Sequence, residues 1–124
     1  VEDWQLSTSA NTGSGAASIG YENVASGTAE DWLVTPLVSI TAADSLMFFH
    51  KQSFGSDYGS IYSIRVSTSS QTNAASFTTI KSYTETDFTT SYTADTISLA
   101  SYSDLLYSSF TNHVSVSSKI VVIC

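Results

Sequence analysis

Apolar and polar residues alternate with a period of two along much of the chain, most clearly in Ile61-Tyr62-Ser63-Ile64-Arg65-Val66-Ser67-Thr68. In an extended backbone Tyr62, Ile64 and Val66 fall on one face and Ser63, Arg65 and Ser67 on the other, whereas a helix would scatter the three apolar side chains. A strand is predicted there. Asp31 to Ile40 forms a second extended segment, interrupted at Pro36, which has no N–H to give a ladder and so marks a bulge or a sheet edge. Leu46 to His50 is a short apolar run, predicted to be a strand buried on both faces. Phe77 to Tyr83, Tyr92 to Leu99, Leu105 to Phe110 and Val114 to Ile123 complete the main predicted strands, with a weaker one at Ala17 to Tyr21. Polar turn signals separate them, among them Thr12-Gly13-Ser14-Gly15, Ala42-Ala43-Asp44, Gly55-Ser56-Asp57 and Ser101-Tyr102-Ser103-Asp104. Only Gln71 to Ser76 suits a helical turn. Short strands joined by polar turns predict an all-β fold, an antiparallel β-sandwich of jelly-roll-like form.

Composition sharpens this picture. Charged residues are 12% of the 124, about half the usual share, and Ser and Thr hydroxyls take their place in solvating the strand faces. With four Lys plus Arg against eleven acids the formal charge is −7. An electrostatic grip on nucleic acid needs a basic surface, so nucleic acid is excluded as a partner, as is an anionic membrane surface. No run is long enough to span a bilayer, and membrane insertion is not expected. Cys124 is the only cysteine, so stability must come from the core and not from an internal disulfide. Residues 1–124 read as one module, cut from a longer secreted protein and accompanied by other domains of the same parent chain.

The phrase Asp31-Trp32-Leu33-Val34-Thr35-Pro36-Leu37 opens an ordered set of features. After it come an aromatic strand (Leu46 to Phe49) and a Tyr-containing strand ending in Val66-Ser67-Thr68. A polar loop then leads to Phe77, and Asp95-Thr96-Ile97-Ser98-Leu99 ends the set. This order, over Asp31 to Leu99, resembles the cleaved-adhesin and choice-of-anchor J domains of secreted bacterial proteins, the adhesin modules of gingipains among them. The resemblance implies a jelly-roll module without catalytic activity, secreted or held at the cell surface, with a glycan or a host or cell-surface protein as partner. It also implies a structural calcium. The chain departs from the family at its end, where Lys119-Ile120-Val121-Val122-Ile123-Cys124 carries no closing acidic pair.

Candidate chemistry is sparse. His50 and His113 lie in no motif, and no strained Gly-x-Ser-x-Gly turn is present, so no catalytic residue is assigned. Calcium takes about six to eight oxygens, and without an Asp-x-Asp-x-Asp loop its site would be assembled from separate strands. Glu2, Asp3, Glu22, Glu30, Asp31 and Asp57 form the pool, from which Glu30 and Asp31 are assigned as metal ligands; solvated turn formers is the alternative reading. Sugar binding relies on exposed aromatics. Trp32 shares a strand face with Val34 and Val38 and reads as core. Tyr58 lies among Gly55, Asp57 and Gly59 in a loop, so Phe54, Asp57 and Tyr58 are the predicted ligand contacts. The expectation is an adhesion or carbohydrate-binding accessory module; the alternative is a structural spacer or subunit of a surface filament or secreted assembly.

Overall fold

The computed structural model describes residues 3–20, 24–102, 104–114 and 120–123. Among the described residues ten strands follow one another: β1 (Gln5–Ser7), β2 (Ala16–Ile19), β3 (Ala29–Val34), β4 (Val38–Ile40), β5 (Ser45–Gln52), β6 (Ile61–Ser67), β7 (Thr78–Thr84), β8 (Thr93–Ser98), β9 (Asp104–Val114) and β10 (Ile120–Ile123). Two single-turn 3-10 helices, Ala74–Ser76 and Glu85–Asp87, flank β7. The fold is all-β and every strand pairing is antiparallel.

The pairing is nested. Leaving aside the short β1 and β4, β2 pairs with β10, β3 with β9, β5 with β8 and β6 with β7. Together these make one long hairpin, folded first strand against last. Two further pairings, β10 with β5 and β9 with β6, roll that hairpin up. The result is one sheet ordered β1-β2-β10-β5-β8 and another ordered β3-β9-β6-β7, with β4 also on β9. This is the jelly-roll connectivity expected from the chain.

One core cluster draws on both sheets. Ile19 and Phe48 come from the first, Tyr62, Ile64 and Tyr83 from the second, and Phe88 from the connection between β7 and β8. Tyr62 lies 5.8 Å from both Tyr83 and Phe88, measured between ring centroids, at tilted or edge-on angles that aromatic pairs favour. Val66 and Leu99 extend the apolar interior. The predicted face of β6 is thus the buried one, with Tyr62, Ile64 and Val66 at most 2% exposed.

Three expectations change. Leu46 to His50 is not buried on both faces: Phe48, His50 and Gln52 point inward while Met47 is exposed, so β5 alternates like its neighbours. Ser63 and Ser67, on the outward face of β6, are nevertheless buried. Their hydroxyls pair with those of Ser82 (3.1 Å) and Ser76 (2.9 Å), so hydroxyl density serves contacts between neighbouring elements as well as hydration. The single segment Val114 to Ile123 is divided between the end of β9 and β10, and residues 115–119 lie outside the described ones. The break at Pro36 is as expected, separating β3 from β4 on the same partner strand. Thr35 bridges it: its N–H donates to the Ser108 carbonyl (2.9 Å) and its hydroxyl accepts the Ser108 N–H (3.2 Å).

Candidate functional site

The connection from β5 to β6 carries the predicted contact residues, and its feet are firmly held. At the β5 end the Gln52 N–H donates to the Thr89 carbonyl (2.9 Å) and the Gln52 side-chain amide to the Phe88 carbonyl (3.3 Å). Near the other end the Asp57 carboxylate accepts the Gly59 N–H (2.9 Å), closing a tight turn. Gly59 has φ +83°, a left-handed conformation that glycine adopts without a side-chain clash. Ser60, next in line, is buried. Between these points the Tyr58 N–H donates to the carboxyl of Glu85, a side chain only 1% exposed.

Glu85 is an expensive way to hold a loop. Burying a carboxyl costs free energy unless its oxygens are bonded, and here Oε1 has no hydrogen-bond partner among the described residues. What this contact achieves is positional. The loop backbone is held against the 3-10 turn, and Phe54 and Tyr58 stand out from it, 56% and 39% exposed. Phe54, Asp57 and Tyr58 are therefore brought together on one anchored loop. Asp57 is turned to its own backbone and shapes the turn. Nothing in the local sequence marked Glu85, because its partner lies 27 residues away.

A second feature lies where edge strand β7 of one sheet faces edge strand β8 of the other. A cavity of about 340 Å³ opens in this seam, lined by His50, Lys81, Tyr83, Asp87, Thr93 and Asp95, together with Ser82 and Ala94. Register places it there: His50 pairs with Thr93 across β5 and β8, and Asp95 pairs with Phe48 two residues along the same face. His50 sits inside an aromatic box, 4.8 Å from Phe88, 5.3 Å from Tyr83 and 5.5 Å from Phe48 by ring centroids. The Tyr83 hydroxyl donates to Asp95, whose other oxygen accepts the Thr96 N–H (2.7 Å). Burial, then the hydrogen bond and charge of Asp95, then the charge of Asp87, push the Tyr83 phenol well above its ordinary range.

Burial also lowers the basicity of His50, against a smaller opposing pull from the Asp95 charge. The folded chain therefore keeps the ring neutral at pH values where the unfolded chain, with its ordinary value of 6.5, has begun to bind a proton. Stability from burying the neutral ring is complete above about pH 6.5 and is lost as pH falls through the lowered folded value. The slope reaches at most about 1.4 kcal/mol per pH unit for one proton. His50→Phe, which keeps the aromatic box filled, should flatten that limb. The measurement is the urea midpoint of both proteins between pH 7 and pH 5; parallel curves would refute this assignment.

The remaining predicted residues separate. Ala29, Asp31 and Leu33 face inward on β3, so Glu30 and Trp32 face outward. Glu30 and Asp31 thus lie on opposite sides of the sheet and do not converge on one ion. Glu30 instead reaches Arg65 on β6 at 3.3 Å. No group of three or more His, Cys, Asp or Glu side chains able to hold a metal occurs among the described residues, and Glu2 and Glu22 of the calcium pool lie outside them. Trp32 is not a core residue. It is half-buried on the outer face, with the Arg65 guanidinium 4.9 Å above its ring and Phe77 edge-on at 5.3 Å. The face that Trp32 shares with Val34 is the outer one, and the buried Asp31 holds the inner phase of β3. His113 pairs with Glu30 and Ile61 through the β9 register.

No protein-family model matches the chain, and no curated protein matches it as a relative.

Proposed function

We propose that this chain is a non-catalytic extracellular adhesion or carbohydrate-binding module of a secreted bacterial surface protein, of the cleaved-adhesin and choice-of-anchor J kind. Its contact element is the Phe54–Tyr58 loop, and its partner is a glycan or a cell-surface protein. One observation carries the reading: two exposed aromatics stand on a loop whose backbone is anchored by a buried carboxyl. Exposed aromatic side chains supply large contact area with few rotatable bonds, and a loop fixed beforehand loses less entropy on binding. A spacer domain needs neither feature.

A catalytic reading finds partial support in the seam, where an imidazole and a carboxylate share a cavity. The parts are not connected as a nucleophile–base–acid relay requires. Asp95 accepts the Tyr83 hydroxyl, and His50 has no hydroxyl bonded to it among the described residues. Binding is the better account.

The test is a glycan array followed by titration of the best hits. Phe54→Ala and Tyr58→Ala should each weaken binding roughly tenfold or more, as expected for central aromatic contacts, with unchanged urea midpoints because both side chains are exposed. An array and a cell-binding assay without hits, or alanine variants that bind like the parent, would reject the loop as the contact element.

A further inference from the structure

The seam between β7 and β8 gathers groups of both charges and hydroxyls around one gap. Lys81, Asp87 and Asp95 all line it, yet Lys81 forms no ion pair with either acid; its ammonium lies 5.4 Å from the centre of the Tyr83 ring. Exposed opposite charges gain at most modestly by closing on each other. Here they stay apart across a cavity. The hydrogen bonds that do form leave capacity on each group. Asp87 uses one oxygen, Oδ2, to cap the 3-10 turn by accepting from the Thr84 N–H (2.7 Å) and hydroxyl (3.2 Å), and its Oδ1 has no such role. Asp95 accepts one bond on each oxygen, although a carboxylate oxygen has room for about two. Thr93 and Lys81 supply donors from opposite walls.

From this arrangement we infer that the seam is a binding site for a single neutral sugar ring. It rests on the carbohydrate reading above and adds a second place of contact. The chemistry selects the class. Two carboxylates against one ammonium leave the seam net negative, which disfavours phosphate, sulfate and acidic sugars, while an amine loses to the lysine ammonium part of what it gains from the carboxylates. A neutral polyol is satisfied by both, because each hydroxyl donates to a carboxylate and accepts from an ammonium or hydroxyl. Size points the same way: about 340 Å³ is at the low end of the roughly 300–1,000 Å³ of small-molecule sites, enough for one ring and not for a chain. The buried floor of His50 and Tyr83 keeps the walls in place, and the exposed Lys81 and Thr93 make the discriminating contacts.

The experiment is a backbone amide NMR titration of the whole chain. The probes are glucose, galactose, mannose, fucose and N-acetylglucosamine, with glucuronate and glucosamine as charged comparators. At least one neutral probe should shift the amides of residues 81–83 and 93–95 saturably, and Lys81→Met and Thr93→Val should each weaken that response roughly tenfold. The inference is overturned if none of the neutral probes shifts the seam, if a charged comparator binds more tightly than every neutral one, or if both variants titrate like the parent. Phe54→Ala separates the two sites. Array binding lost in Phe54→Ala but kept in Lys81→Met, with a silent seam, leaves the loop reading standing and removes this one. Seam shifts without any array hit do the reverse.

Discussion

Glu85→Ala should lose about 2–4 kcal/mol of stability to denaturant, and with it the fixed course of the loop between β5 and β6. Two effects add. The Tyr58 N–H loses its acceptor, and a bond from a backbone N–H to a carboxyl contributes on the order of 1.5–3 kcal/mol when the group is ionised and about 1 when it is not. The side chain is also fully enclosed, so its removal leaves a space that neighbours fill only partly. Glu85→Gln separates the contributions. An amide oxygen still accepts the Tyr58 N–H, and the volume is nearly unchanged, so its stability should stay within roughly 1 kcal/mol of the parent. Urea unfolding measures both. Hydrogen exchange at Tyr58 and Gly59 should quicken in Glu85→Ala alone, and glycan binding through Phe54 and Tyr58 should fall with it. An alanine variant as stable as the parent would mean that the loop holds itself through Asp57 and Gly59, and that the buried carboxyl has another purpose.

Much of this fold was legible one residue at a time, because a strand with one face in the core imprints a two-residue period on its own sequence. Tyr62, Ile64 and Val66 show that period and all are buried. Pro36 marked the break between β3 and β4 because its missing N–H is a local fact. Turn chemistry was local as well, and the Phe54–Tyr58 loop was found from Gly55, Asp57 and Gly59. The short β1 and the 3-10 turn at Glu85–Asp87 were missed; neither is long enough to show a period. Hidden too was whatever depends on distant partners. Trp32 reads as core from the strand face it shares with Val34 and Val38, yet what covers it are Arg65 and Phe77, more than thirty residues on. The seam was half visible. His50 keeps phase with Phe48, and Asp95 with Ile97, so each could be placed on an inward face; that the two strands would be neighbours required the whole nested pairing.

The largest loss is expected from Tyr62→Ala, about 3–5 kcal/mol. Tyr62 is 0% exposed near the start of β6; it meets Tyr83 across the β6–β7 ladder and Phe88 after the 3-10 turn, and shares its core cluster with Ile19 and Phe48 of the other sheet. Small domains have roughly 5–15 kcal/mol in total, so the variant should be at the edge of folding at room temperature. Tyr62→Phe keeps the ring that fills the core and should stay within about 1.5 kcal/mol of the parent. The comparison bears on architecture as well as on packing. If one core serves both sheets, guanidinium unfolding of Tyr62→Phe should remain a single transition, and tryptophan fluorescence should coincide with far-UV circular dichroism, since Trp4 packs on the core and Trp32 lies on the outer face of β3. A Tyr62→Ala protein within about 1 kcal/mol of the parent, or two separated transitions, would show that the sheets are stabilised independently. The seam between β7 and β8 would then have no rigid walls on which to hold a ligand.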